Sequence, residues 1–272
     1  MQYLRLYADD DGESHEAAVE AALATVAYAP PVPAFDVYGT LIDWESGMIA
    51  GLKPLTDRIA SAGRVAGAPL TRDDISKAHA LHESTAQAQT SGKLYAELLA
   101  VVYKRQAEEW RVAASWDECL TYDRGVRNWP AFPDSADALA HLKDHYMLAV
   151  LSNVDNAGFA ASHAKLGVAF DAVNTAEDIG SYKPAARNFD YMIAGLARRG
   201  IEKHEILHVA ESMFHDHAPA NRLGLANCWI YRRRDQTGFG TTMPPGGMPF
   251  TFNSMADLAA AHRAELAGPA EA

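Results

Sequence analysis

The residues equipped for chemistry in this chain sit at one kind of place, directly behind an apolar run. Asp36 follows Val32, Ala34 and Phe35, and Tyr38-Gly39-Thr40 comes next. Ser152 and Asn153 follow Met147–Leu151. Lys183 comes soon after Asp171-Ala172-Val173, and Glu211 and Asp216 follow Ile206–Ala210. In an open α/β sheet, the crevice beyond the carboxyl ends of the strands is where ligands bind. A carboxylate there can attack an electrophilic centre, and an ammonium beside it can keep it ionised. Each position also has an ordinary structural role. An Asp and a Gly behind a strand make a turn, Ser152-Asn153 can cap a helix, and Glu211 and Asp216 suit the first turn of one. The four sites in this order are harder to explain by turns and caps alone.

The elements that must carry them follow from hydrophobic period and punctuation. Short apolar runs at 32–35, 147–151, 171–173, 206–210 and 226–231 read as strands, the first ending at Asp36. Helical patterns lie between the later ones: over about 156–166, from Ser181-Tyr182-Lys183-Pro184 to Arg199, and after Ser212. That alternation argues for a parallel sheet covered on both faces. Between the first strand and Trp129-Pro130 the pattern is helical throughout. Met48, Ile49, Leu52, Leu55 and Ile59 keep helical spacing, as do Leu94, Leu98, Val101 and Val102. Trp110 and Trp116 in this block read as core or interface anchors. Asp134 or Ser135 starts a helix carrying Ala138, Leu139 and Leu142. Residues 233–253, rich in Gly, Pro and Thr, read as a loop, and 254–267 as a closing helix.

Composition bounds the function. The chain has 272 residues, 49% of them hydrophobic, enough for a sizeable core. With 24 Lys and Arg against 35 Asp and Glu, the net charge of −11 argues against nucleic acid or an anionic membrane as partner. Cys119 and Cys228 imply neither a disulfide framework nor a thiolate zinc site, and fit a reducing cytoplasm. No apolar run is long enough to span a membrane. Residues 1–31 read as an appendage, with a strand-like Tyr3–Tyr7, an acidic turn unlike a signal peptide, and an Ala-rich helix over 16–28. Residues 4–15 resemble the opening of small cupin proteins, without the metal-ligand cluster that would follow there.

Taken in order, Phe35-Asp36-Val37-Tyr38-Gly39-Thr40-Leu41, Leu151-Ser152-Asn153, Ser181-Tyr182-Lys183-Pro184 and Ala210-Glu211-Ser212-Met213-Phe214-His215-Asp216 resemble the haloacid dehalogenase (HAD) superfamily of hydrolases. The resemblance covers roughly 32–232. It implies an α/β fold with a Rossmann-like parallel sheet core (32–43 and 128–272) and an inserted all-helical cap (44–127). It makes Asp36 the nucleophile, Lys183 its cationic partner, and Ser152 and Asp216 further catalytic residues. Tyr38, Thr40, Leu41 and Asn153 would bind substrate. Phosphatases of the superfamily carry a second Asp two residues after the nucleophile to protonate the leaving alcohol. Tyr38 stands there, and a halide needs no proton. The resemblance therefore points to the type II L-2-haloacid dehalogenases, which require no metal, act on small anionic molecules and are often homodimers. Three positions depart from that branch. Glu211 replaces a Ser, Phe189 replaces a Tyr, and none of Arg58, Arg64 or Arg72 matches the halide-cradling cap Arg. Glu211 with Asp36 and Asp216 instead looks like the acidic set that holds Mg2+ in the phosphatases, which is one alternative; the incompletely matched pocket leaves a second, a catalytically weak binding protein of the same fold.

Other clusters weigh less. His215 and His217 are two apart and do not share a helix face, so ordinary helix-start roles are expected, with His215 near the pocket. His79 and His82, with Glu83, would line the cap, and no third zinc ligand is placed. Lys104-Arg105 and Arg232-Arg233-Arg234 read as solvated basic patches.

Overall fold

The computed structural model of the chain describes residues 32–61, 70–233 and 250–267. The N-terminal appendage, Arg64, Arg234 and most of the 233–253 loop lie outside the described residues.

Six short strands form one parallel sheet: β1 (Val32–Phe35), β2 (Ala149–Ser152), β3 (Ala172–Thr175), β4 (Ile206–Ala210), β5 (Ala226–Ile230) and β6 (Thr251–Phe252), in the order β3-β2-β1-β4-β5-β6. The chain builds outward from β1 to β3, then returns to the other side of β1 and builds outward again. The β1/β4 boundary is thus the topological switch point, where an open α/β sheet leaves a crevice at its carboxyl edge. Ala34 pairs with Ala149 on one side and with His208 on the other, so Asp36 emerges at the centre of that edge.

β1 has no exposed residue, as a strand covered on both faces requires. Its side chains alternate between two cores. Val32 and Ala34 pack with Ala149, Leu151, Phe189, Met192 and Ile206 on one face. Phe35 joins Val150 and Val209 on the other, and that cluster continues into the helical block through Met48, Leu52, Leu98 and Tyr103.

The helical block comprises α1 (Trp44–Ser61), α2 (Arg72–Gln89), α3 (Tyr95–Glu109) and α4 (Trp116–Gly125). Thr71 with Asp74 and Ser115 with Glu118 form reciprocal capping boxes that start α2 and α4. The core helices are α5 (Ser135–Lys143), α6 (Asn156–Leu166), α7 (Ala176–Ile179), α8 (Ala186–Ala197), α9 (Ala218–Leu223) and α10 (Met255–Ala267). Trp129, where the chain re-enters the core, packs so closely on α1 that a Cβ on Gly47 would lie 2.3 Å from its Cδ1.

The structure departs from the sequence reading in four places. β6 adds a sixth strand, pairing Thr251 with Trp229 and Phe252 with Ile230. The helix expected from Ser181 begins only at Ala186, because Pro184 breaks the approach and leaves Lys183 on a loop. Trp116 is 53% exposed and is no core anchor. Arg232 and Arg233 are not solvated: Arg232 donates two hydrogen bonds to Asp134, both 2.9 Å, and buried Arg233 pairs with Glu45 and Asp73.

Candidate active site

The carboxyl ends of β1, β2 and β4 converge on one buried ammonium. Lys183 Nζ donates to Asp36 Oδ1 at 2.8 Å, to Asp216 Oδ1 at 2.6 Å and to the Leu151 carbonyl at 2.9 Å. All three of its donors are used, and Lys183, Asp36 and Asp216 are all buried. Asn153 sets the position of Lys183. Its Oδ1 accepts from the Lys183 N–H at 2.6 Å and its Nδ2 donates to the Lys183 carbonyl at 3.0 Å. Asn153 lines the cavity, but these two bonds spend its amide on Lys183 rather than wholly on a substrate.

Thr40 ties β1 to β4. Its hydroxyl donates to Asp36 Oδ2 at 2.7 Å and accepts from the Glu211 N–H at 2.9 Å. The turn that brings Thr40 back uses Gly39 at φ +94°, a conformation that a Cβ would strain. Arg232 braces the same turn by donating to the Thr40 carbonyl at 3.0 and 2.7 Å. Leu41 is fully buried in the core between sheet and cap and does not line the cavity, so a direct substrate contact is not where its side chain lies.

Electrostatics divide the two acids. Burial, reinforced by the Asp216 charge, pushes Asp36 above the usual carboxylate range, against the pull of Lys183 and Thr40. Burial also opposes ionisation of Asp216, but Lys183 and His208 overcome it and hold that acid well below the usual range. His208 Nε2 lies 2.8 Å from Asp216 Oδ1. Lys183 itself is raised, since the two carboxylates outweigh its burial.

Above this floor lies a cavity of about 310 Å³, roofed by the helical block. α2 lines it with Lys77, Ala80, Leu81, Glu83 and Ser84, positions that share one helix face. Glu211, Phe214 and His215 line it from the β4 side. Three buried polar atoms at the floor, Ser152 Oγ, Asp216 Oδ2 and His215 Nε2, have no protein partner. Buried polar groups are ordinarily satisfied, so these atoms mark where a bound molecule would be met. His215 lines the pocket as expected. His217 turns away, bonding Asn227 Oδ1 at 2.9 Å and the Ala210 carbonyl at 3.0 Å.

Tyr38 lies with its ring 6.1 Å from that of Tyr95, and its hydroxyl is 2.9 Å from Ser162 Oγ and also donates to the Gly158 carbonyl at 3.4 Å. Burial raises its pKa above the ordinary tyrosine value. The cap histidines do not converge. His79 Nε2 is 2.7 Å from Tyr122 Oη, and His82 Nε2 is 2.5 Å from Glu109. Burial pushes the Glu83 carboxyl up, but His79 beside it, with His215 and Tyr95, brings it below the ordinary value. Arg58 pairs with Glu118 and Arg72 with Glu45, neither lines the cavity, and among the described residues the cap cation that does is Lys77.

Asp36, Glu211 and Asp216 offer hard oxygens of the kind Mg2+ takes, and Asp216 Oδ2 has no protein partner. The residues fit the ion. Sequence reasoning missed Lys77 and Arg232. A Lys on an amphipathic helix, or an Arg in a basic triplet, carries no sign in sequence of which side chain turns inward.

Comparison with known proteins bears on the family and the fold. The family model of the haloacid dehalogenase-like hydrolases matches residues 33–216. No curated protein matches the chain by sequence. Among solved structures, a defluorinating L-2-haloacid dehalogenase is similar with a TM-score of 0.69 at 18% identity, over 88% of this chain and 97% of that one. The L-2-haloacid dehalogenase of Xanthobacter autotrophicus with covalently bound chloropropionic acid gives 0.66 at 16%, over 86% and 98%. Magnesium-bound YfnB of Bacillus subtilis gives 0.63 at 16%, over 85% and 97%. At such identity the likeness shows a shared fold. No helix of the described residues is long and apolar enough to cross a membrane. With its parallel core, helical insertion and matched family model, the chain belongs to the haloacid dehalogenase-like hydrolases.

Proposed function

We propose that this hydrolase removes halide from short (S)-2-haloalkanoic acids through a covalent ester on Asp36. An Asp36 oxygen attacks C2 as the carbon–halogen bond breaks, and the halide leaves with the bonding electrons. Water then attacks the Asp36 carboxyl carbon and the ester bond is cleaved. The products are a 2-hydroxy acid, with one water proton on its hydroxyl, and a released proton. Lys183 keeps Asp36 ionised and aimed, Asp216 orients the water, and Ser152 Oγ donates to the bound anion. Thr40 and Asn153 hold Asp36 and Lys183 in place, and Tyr38 forms part of the wall. Residues 44–127 act as a cap that excludes water, with Lys77 as its cation toward the substrate carboxylate.

Tyr38 carries this choice. The hydroxyl two residues after Asp36 is committed to Ser162, and burial raises its pKa, so it supplies no proton to a leaving alcohol. A halide leaves without one.

The acidic set favours a second reading, a Mg2+-dependent phosphatase on a small phosphate ester. Asp36, Glu211 and Asp216 would hold the ion, which when bound would polarise a phosphoryl oxygen. The fold likeness to a magnesium-bound relative supports the same alternative. The family resemblance and two buried free cysteines support a cytoplasmic homodimer as part of the proposal.

A paired screen of 2-haloacids and phosphate esters, each with Mg2+ and with EDTA, separates the two. Halide release from (S)-2-chloropropionate that persists in EDTA is expected. Turnover of phosphate esters alone, dependent on Mg2+, would reverse the assignment.

A further inference from the structure

On the far side of the molecule's chemistry, α10 brings three imidazoles together. His141 lies in the last turn of α5, His145 in the turn that follows that helix, and His262 meets them from α10. Their ring centroids form a near-equilateral triangle, with sides of 5.0, 5.1 and 5.1 Å and interplanar angles of 60, 64 and 65°. The potential ligand nitrogens all lie within 4.8 Å of one another. Three imidazoles on a tetrahedral ion, with metal–nitrogen bonds of about 2.0–2.1 Å, have ring centroids about 5 Å apart. The triangle is therefore already the size that a three-histidine site needs.

We propose that His141, His145 and His262 form a binding site for a borderline divalent transition metal, best suited to Zn2+, that fastens α10 to α5. His141 Nε2 and His262 Nδ1 already face each other at 2.9 Å and would part by a few tenths of an ångström to admit the ion. Tyr146 Oη, 2.8 Å from His262 Nε2, supplies the orienting bond to the remote nitrogen that metal-bound histidines ordinarily have. An all-imidazole donor set selects Zn2+, Cu2+ or Ni2+ over Mg2+. His145 is exposed and leaves the fourth position open to water. No part of the cavity is involved, which distinguishes this site from the acidic set at Asp36.

The full chain, stripped with chelator, is titrated with CoCl2 by visible absorption and with ZnCl2 by calorimetry. Wild type is expected to show the strong visible bands of four-coordinate Co2+ and a higher Tm with Zn2+. His145→Ala removes an exposed ring and is expected to keep the metal-free Tm, lose the bands and bind Zn2+ at least tenfold more weakly. Should His145→Ala instead destabilise the metal-free protein, His145→Asn is used for the same readouts. Absence of saturable binding to wild type, or unchanged bands and Zn2+ affinity in the variant, would overturn the site.

Discussion

Replacing Lys183 by Met removes a buried charge at nearly constant volume, and the structure fixes what is lost. The ammonium lies 2.8 Å from one ionisable carboxylate and 2.6 Å from another, with no exposed surface to recruit water. At an effective dielectric constant of about 20, each contact is worth on the order of 6 kcal/mol of attraction. Much of that is offset in the native protein by the desolvation of three charged groups. Removing one partner of a buried ionic cluster costs about 3–5 kcal/mol in practice. That is a large part of a total stability of roughly 5–15 kcal/mol, so Lys183→Met is expected to fold marginally at neutral pH. The deficit has a sign in pH. In the wild type, Asp216 is held low, so its contribution is present above the unfolded Asp value of about 3.9 and lost as pH falls through the folded one. Lys183 is raised, so its contribution is present below about 10.4 and lost as pH rises through the folded value. Asp36, already raised by burial, runs opposite to Asp216. Without the ammonium both acids titrate higher in the folded state, while the unfolded chain is unchanged. The deficit should therefore shrink steadily as pH falls, continuing below pH 4 where wild-type Asp216 loses its own contribution, and grow toward neutrality. Urea unfolding of both proteins at several pH values reads this directly. A deficit under about 1 kcal/mol and flat with pH would refute the electrostatic picture of the floor.

Other expectations follow from single contacts. Tyr38→Phe should lose about 1–2 kcal/mol of stability through the Ser162 bond, yet change kcat by less than about threefold. A folded variant with kcat down a hundredfold would return the hydroxyl to the chemistry. Lys77→Ala should raise KM for a 2-haloacid about two- to fivefold with kcat nearly unchanged, because the residue is largely exposed at the cavity mouth. An unchanged KM would remove it from substrate binding. Gly47→Ala should cost about 1–3 kcal/mol, since its Cβ would meet the root of the Trp129 side chain rather than a movable tip. Thermal unfolding checks it, and a rise in Tm would contradict that packing.

The sequence made the strand ends legible because polar residues behind short apolar runs stand out against both. Asp36, Ser152, Lys183 and Asp216 converge in space although 180 residues separate the first from the last. The helical block was legible from uninterrupted helical spacing. What stayed hidden has common physical causes. β6 is two residues long, too short to carry a period. Arg232 and Arg233 turn inward because Asp134, Glu45 and Asp73 await them, and pairing across about a hundred residues or more leaves no local trace. Leu41 sits within the motif but is buried by the cap, which a motif cannot report. His141 and His145 have the spacing of metal ligands, but their partner His262 arrives from the last helix.

The central claim is that Asp36 becomes covalently esterified. A single turnover in heavy-oxygen water, with enzyme in large excess over (S)-2-chloropropionate, tests it by mass spectrometry of both product and protein. The first 2-hydroxy acid is expected to carry ordinary oxygen taken from the Asp36 carboxylate, and the peptide containing Asp36 to gain the heavy atom. Heavy oxygen in the first product, with an unlabelled Asp36 peptide, would mean that water attacks the substrate directly and would contradict it.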